Sequence, residues 1–165
     1  MTSLEQAIQL FEGNDLIGLA MEAERVRKRL DLDKIITYCT EPAVTSYIEL
    51  QRADSIQQTM NRLEAVRESG ATAVMPRFQA AVTAVEYLKT LALTRIYLDS
   101  IPHVQTTWTI GLKICQIALR FGADDIAGDE NERHRPTEEQ LRCLIRDAGF
   151  VPKQRDALFR TYYLD

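Results

Sequence analysis

Two hydrophobic periods alternate along this chain. Leu16, Leu19, Ala23, Val26 and Leu30 recur at three to four residues, as do Ile56, Met60, Leu63 and Val66, and then Val85, Leu88, Ala92 and Ile96 inside the longest such stretch, Thr83 to Asp99. Each series lays one apolar stripe along a helix. Between them lie short apolar runs at Ile35 to Cys39, Val44 to Leu50, Thr72 to Met75 and His103 to Trp108, which predict strands. Punctuation supports the division. Thr2 with Glu5, Asp54 with Gln57 and Thr137 with Gln140 stand at helix-start spacing, ahead of apolar series beginning at Ala7, Ile56 and Leu141. Gly13-Asn14-Asp15, Gly70 and Gly149 close helices, and Thr40-Glu41-Pro42 and Pro76 are expected to end strands. Phe150 to Gln154 reads as a last short strand, followed by the aromatic tail Thr161-Tyr162-Tyr163.

The stretch from Ile101 to Gly128 organises the rest. His103 to Trp108 is extended, Gly111 opens a helix with Ile114, Ile117, Ala118 and Phe121 inward, Gly122 stops it, and Asp125 to Ala127 is extended again. Strand, helix, strand is the crossover from which parallel sheets and (β/α) barrels are built. The expected class is therefore α/β: a partial (β/α) barrel of about four parallel strands with flanking helices, preceded by two helices. Four β-α pairs are too few for the eight of a closed barrel. Ligands in such folds bind at the carboxyl ends of the strands, near which Trp108, Asp125, Gly128 and Asp129 are placed.

Length and charge narrow the function. A chain of 165 residues, 45% hydrophobic, supports one core and hence one domain. No apolar run reaches the roughly 20 residues of a membrane span, and the acidic, amphipathic start carries no signal pattern, so a cytoplasmic protein without a membrane partner is expected. A net charge of −4 argues against a nucleic-acid partner. The one basic cluster, Arg25 to Arg29, is read as a solvated helix end that complements the dipole.

Candidate chemistry is sparse. Cys39, Cys115 and Cys143 are odd in number and in no C-x-x-C arrangement, so no metal site is expected, and Cys115 and Cys143 are read as buried structural thiols. Trp108 fits either a packed aromatic or a platform for a nucleoside or benzoate-like ring. Gln105 fits either a satisfied buried amide or a ligand contact. Asp124 and Asp125 fit a helix cap or surface turn, or a carboxylate pair. Asp129, Glu130 and Glu132 with His134 match no ligand spacing and read as a solvated loop, and His103 as a packed residue at a strand start.

The text AVTAVEYLKT at Ala81 to Thr90, then LALTRIYLDSIPHVQTTW, GLKICQIALRFGADD and LRCLIRDAGFVPKQRDALF, resembles the C-terminal half of a radical SAM family. That family comprises dehypoxanthine futalosine cyclase, aminofutalosine synthase and the deazaflavin synthase subunits. Residues 1–39 resemble its N-terminal helices and first extended segment, and residues 44–165 its C-terminal half-barrel. Pro76, Phe78 and Gln79 remain of a Pro-aromatic-Phe-Gln motif in which Arg77 replaces the aromatic, and Gln105 and Trp108 of a Gln-Ala-Ser-Trp-like strand end. The resemblance implies a ligand site at Pro76, Phe78, Gln79, Gln105, Trp108 and Asp125, and a nucleoside-like small molecule as its occupant.

The family's C-x-x-x-C-x-x-C loop belongs between Tyr38 and about Val44, and this chain has no such loop. The [4Fe–4S] cluster and S-adenosylmethionine that the resemblance implies are therefore not expected as cofactors. The reading is a truncated, cluster-less relative of the menaquinone-route enzymes serving as a binding or accessory protein. The alternatives are a companion subunit completed by a full-length, cluster-bearing enzyme, or a decayed gene. A half-barrel would leave Val44 to Leu50 and Asp125 to Ala127 as open edges and Val44, Ile48, Val74 and Val104 facing water, from which a homodimer is expected.

Overall fold

The computed structural model describes residues 4–13, 15–30, 34–42, 46–51, 54–128 and 134–161. Two helices lead, α1 (Leu4–Glu12) and α2 (Leu16–Arg29), followed by strand β1 (Ile35–Pro42) and, after four residues, β2 (Tyr47–Leu50). Helix α3 (Ile56–Glu68), β3 (Ala73–Phe78), α4 (Ala84–Tyr97), β4 (His103–Thr106), α5 (Leu112–Ala118), β5 (Asp125–Gly128), α6 (Glu138–Asp147) and β6 (Val151–Gln154) complete the order. The sheet runs β2-β3-β4-β5-β1-β6, and each neighbouring pair is parallel. The α/β class and partial-barrel character agree with the pattern of the sequence. The sheet has six strands rather than about four, because β1 and β6 join it beside β5.

Local chemistry explains most boundaries. Thr83 and Thr137 cap α4 and α6 through reciprocal bonds with Glu86 and Gln140. For α3 the cap is Ser55 with Gln58, one residue beyond the predicted Asp54 and Gln57, and Asp54 instead accepts from the Gln51 amide. The Thr2 cap lies outside the described residues. Pro76 does not end β3. The Met75 and Gln79 amides donate toward β2, so the missing N–H of Pro76 falls on the β4 side, where pairing already stops at Val74. Nor does Thr40-Glu41-Pro42 break β1, which continues to Pro42.

Ile36, Tyr38, Ile48, Leu50, Val74, Val104 and Ile126 face the helices and share one core with Leu19, Ala23, Leu63, Leu91 and Ile145. This corrects the expected exposure of Ile48, Val74 and Val104, all of which are buried; Val44 lies outside the described residues. Side chains alternate along a strand, so the opposite face carries Thr37, Gln105 and Asp125 instead. β5 is likewise not an edge: β2 and β6 are. Two residues expected inward, Val85 and Ile117, are about half exposed, and α4 is buried almost all round from Tyr87 to Tyr97. Arg27, expected in a solvated basic face, is buried under Phe150 with its guanidinium 4.6 Å from the ring centroid.

The face opposite the helices is tied down by the chain's own end. Asp125 is wholly buried and receives Arg155 Nε at 2.6 Å and Arg155 NH2 at 2.5 Å, with Thr37 Oγ1 at 2.6 Å and Gln105 Nε2 at 2.8 Å. Phe159 lies against the same guanidinium at 3.9 Å and stacks on His103 at 4.3 Å. Removing one partner of a buried pair strands the other charge, which costs about 3–5 kcal/mol. Arg155→Ala is therefore expected to lose about that much in urea unfolding, while Arg155→Met with Asp125→Leu recovers most of it. A loss under 1 kcal/mol for Arg155→Ala would contradict the assignment.

Candidate functional site

A cleft of about 460 Å3 opens at the carboxyl end of β3, against the turn that follows β4. Pro76, Phe78 and Gln79 line it together with Arg77, Tyr87, Val82, Thr107, Thr109 and Ile110. Its aromatic wall is Phe78 and Tyr87, whose rings stand 6.5 Å apart and tilted. Tyr87 is fixed from behind: its hydroxyl and Thr106 Oγ1 are 2.8 Å apart, and burial raises the phenol far above its ordinary range, so it stays neutral. Arg77 is held by Glu49 at 2.7 Å and covers the Tyr47 ring at 4.3 Å. Gln79 is exposed at the rim, with its backbone N–H donating to the Leu50 carbonyl. A ring slotted along Phe78, with hydroxyl and amide groups at the rim, is what such a cleft accommodates.

Five of the six residues expected at one site divide into two groups. Pro76, Phe78 and Gln79 meet in the cleft. Gln105 and Asp125 meet each other in the buried network under Arg155. Asp125 already accepts four hydrogen bonds there, which leaves it no lone pair suited to a ligand. Trp108 joins neither group. It starts a 3-10 helix, Trp108–Ile110, and is 5% exposed. A Cβ on Gly128 would overlap its ring, so the indole sits directly on the end of β5. Its Nε1 has no hydrogen-bond partner among the described residues.

Asp124 is no cap or surface turn. It is buried, paired with Arg95, 2.5 Å from His103 Nδ1, and accepts from the Val104 amide at 2.8 Å. Arg95 in turn donates to the carbonyls of Gly122 and Ile101, so this pair locks α4 to the start of β5. Neither Arg95 nor Arg155 is prominent in the sequence; a cation inside an otherwise apolar helix, and another straight after a strand, are the signals that could have shown them. Of the acidic loop, His134 is exposed and Asp129, Glu130 and Glu132 lie outside the described residues, as do Tyr162 and Tyr163.

The thiols are spread over three elements. Cys39 is buried on β1, and Cys115 is buried on α5 with its thiol pushed up to about 12 by burial. Cys143, expected to be buried, is exposed on α6 and donates to Glu139 at 3.4 Å. No group of three metal-ligating side chains gathers among the described residues.

Fold and cleft define a parallel α/β protein with a cleft at its strand ends. The family model for the CofH/MqnC C-terminal region matches residues 65–164, and the chain belongs to that family. It is 38% identical over 90 residues to aminodeoxyfutalosine synthase of Streptomyces coelicolor, covering 47% of this chain and 23% of that protein. Cyclic dehypoxanthine futalosine synthase of the same organism is 39% identical over 83 residues, 44% of this chain and 21% of that protein. The 5-amino-6-(D-ribitylamino)uracil–L-tyrosine 4-hydroxyphenyl transferase of Methanocaldococcus jannaschii is 33% identical over 95 residues, 50% and 26% of the two chains. The chain thus spans about a quarter of the length of the curated relatives it matches.

The packing of Trp108 on Gly128 makes a direct test, since this is the chain's one tryptophan. Gly128→Ala should displace the ring, shift its fluorescence to the red and cost about 1–3 kcal/mol. Unchanged emission and stability would place the indole elsewhere.

Proposed function

We propose that this chain is a binding or accessory member of its family, without radical chemistry of its own, serving the futalosine route to menaquinone in the cytoplasm. Its ligand is a nucleoside-like molecule held in the cleft at Phe78. The observation that carries the reading is the meeting of Pro76, Phe78 and Gln79 with Tyr87, Thr107 and Thr109 around one cleft of about 460 Å3. That combination offers one aromatic wall and several hydroxyl and amide partners, which suits a base joined to a sugar.

The donor set supports the absence of radical chemistry. An iron–sulfur cluster that cleaves S-adenosylmethionine needs three thiolates on one loop. Here β1 passes to β2 through four residues, none of them cysteine, and the three thiols sit on β1, α5 and α6. Burial that pushes Cys115 to about 12 opposes the thiolate form that iron requires. These residues do not fit the cluster.

A second reading is a companion chain completed by a cluster-bearing enzyme. It is favoured by coverage alone, because the matched relatives extend well beyond the aligned segment.

Calorimetry with aminodeoxyfutalosine and dehypoxanthine futalosine tests the first reading. Wild type should bind one of them, and Gln79→Ala should weaken binding about 5-fold, the worth of one hydrogen bond, with its melting midpoint unchanged. No binding of either nucleoside would retire the cleft as a nucleoside site. Binding that appears only with a cluster-bearing family enzyme present would favour the companion reading.

A further inference from the structure

Beside the cleft at Phe78 lies a second, smaller cavity of about 230 Å3, and Phe78 and Val82 line both. Its other apolar walls are Phe11 of α1 and Leu50 at the end of β2, while α3 contributes Thr59 and α4 contributes Glu86, Lys89 and Thr90. Five elements thus close on one space.

Most of its polar wall is already engaged. Asp54 accepts from the Gln51 N–H at 2.6 Å and from Arg62 at 3.2 Å. Glu86 accepts from the N–H and the hydroxyl of Thr83 at 2.7 and 2.8 Å, and the Thr90 hydroxyl donates to the Glu86 carbonyl at 2.9 Å. Both acids are therefore spent on holding the loop after β2 and the start of α4.

Lys89 and Thr59 differ. The Lys89 ammonium lies 4.9 Å from the Phe11 ring centroid and forms no ion pair with any described residue. Thr59 is 6% exposed. A helical threonine often returns its hydroxyl to the carbonyl four residues back, as Thr90 and Thr94 do on α4. The Thr59 backbone N–H reaches the Ser55 carbonyl at 3.0 Å, but its hydroxyl has no hydrogen-bond partner among the described residues. A hydroxyl buried so deeply costs about 1–3 kcal/mol unless it is bonded.

We propose that this cavity binds a small monocarboxylate with an apolar body, the carboxylate between Lys89 and Thr59 and the body against Phe11, Leu50 and Phe78. Two unspent donors call for an acceptor, and the cation among them favours an anion. A phosphate dianion would be repelled by Asp54 and Glu86 in the same wall, more strongly than a single charge. The volume lies below the roughly 300–1,000 Å3 of pockets for drug-sized ligands, which limits the body to about one ring. The site is separate from the proposed nucleoside cleft, and either can fail without the other.

Phenylacetate is a suitable probe, with phenylacetamide as its uncharged counterpart. By calorimetry, phenylacetate should bind one molecule per chain and phenylacetamide about 10-fold more weakly, the worth of a charge-assisted hydrogen bond. Lys89→Met, which keeps an apolar stem over Phe11, should weaken phenylacetate about 10-fold, and Thr59→Val, which keeps the shape, about 5-fold with no loss of melting temperature. In amide NMR spectra of the wild type, phenylacetate should shift Thr59, Lys89 and Thr90 and leave Thr107 and Thr109 of the first cleft in place. The proposal would be overturned by no saturable binding, by equal affinity for the amide, by unchanged affinity in Lys89→Met, or by shifts at Thr107 and Thr109 instead.

Discussion

The arrangement hangs on the burial of one carboxylate. Asp125, the first residue of β5, is removed from water completely and has to be repaid in hydrogen bonds from β1, from β4 and from the segment after β6. An isolated carboxylate in that position would be far costlier than any single apolar contact is favourable. The four donors therefore fix the lateral order of three strands and the return of the chain end over them. Asp124 performs a similar task on the other side, binding Arg95 of α4 and the β4 backbone. Consecutive aspartates thus anchor the two faces of one strand start, one toward the helices and one away from them.

This division separates the buried ion pairs from the candidate site along the strands. The buried ion pairs sit at the amino-terminal half of β5, whereas the cleft opens at the carboxyl end of β3, beside the turn after β4. Open α/β sheets place ligands at those ends because the loops there can vary without disturbing the core. Phe78 and Gln79 occupy that position, with Tyr87 as a rigid backing. Arg77 brings a cation, paired to Glu49, to the same rim. Membership of the CofH/MqnC C-terminal family accounts for the scaffold from residue 65 onward, and the link between β1 and β2 is where this chain departs from what the resemblance implies.

Helices were the most legible part of the chain. The capping box at Thr137 is local chemistry, and a local signal needs no knowledge of partners. Strand identity was legible as well, but strand order was not. Nothing local in Ile35 to Cys39 says that it will lie between β5 and β6, and mistaking the face of Ile48, Val74 and Val104 followed from assigning alternation without a partner to set its phase. Half of the candidate site was legible for the same reason. Pro76, Phe78 and Gln79 are contiguous and fall together automatically, whereas Gln105 and Asp125 depend on Arg155, whose role appears only once β6 is docked. Trp108 was readable as an aromatic at a strand end, yet its burial on Gly128 is a tertiary fact.

If the Asp125 network is the tie between the strands and the chain end, the backbone there opens only with the whole molecule. Native-state hydrogen exchange measures this at the Arg155 amide, which donates to the Tyr38 carbonyl at 3.0 Å, and at the Thr37 amide, which donates to the Asp124 carbonyl at 3.0 Å. The account predicts that both exchange with the same opening free energy as the central core of α4, and that all three fall together as urea is added. Exchange of the Arg155 amide at the rate of an unstructured peptide, with Thr37 and α4 still protected, would contradict it.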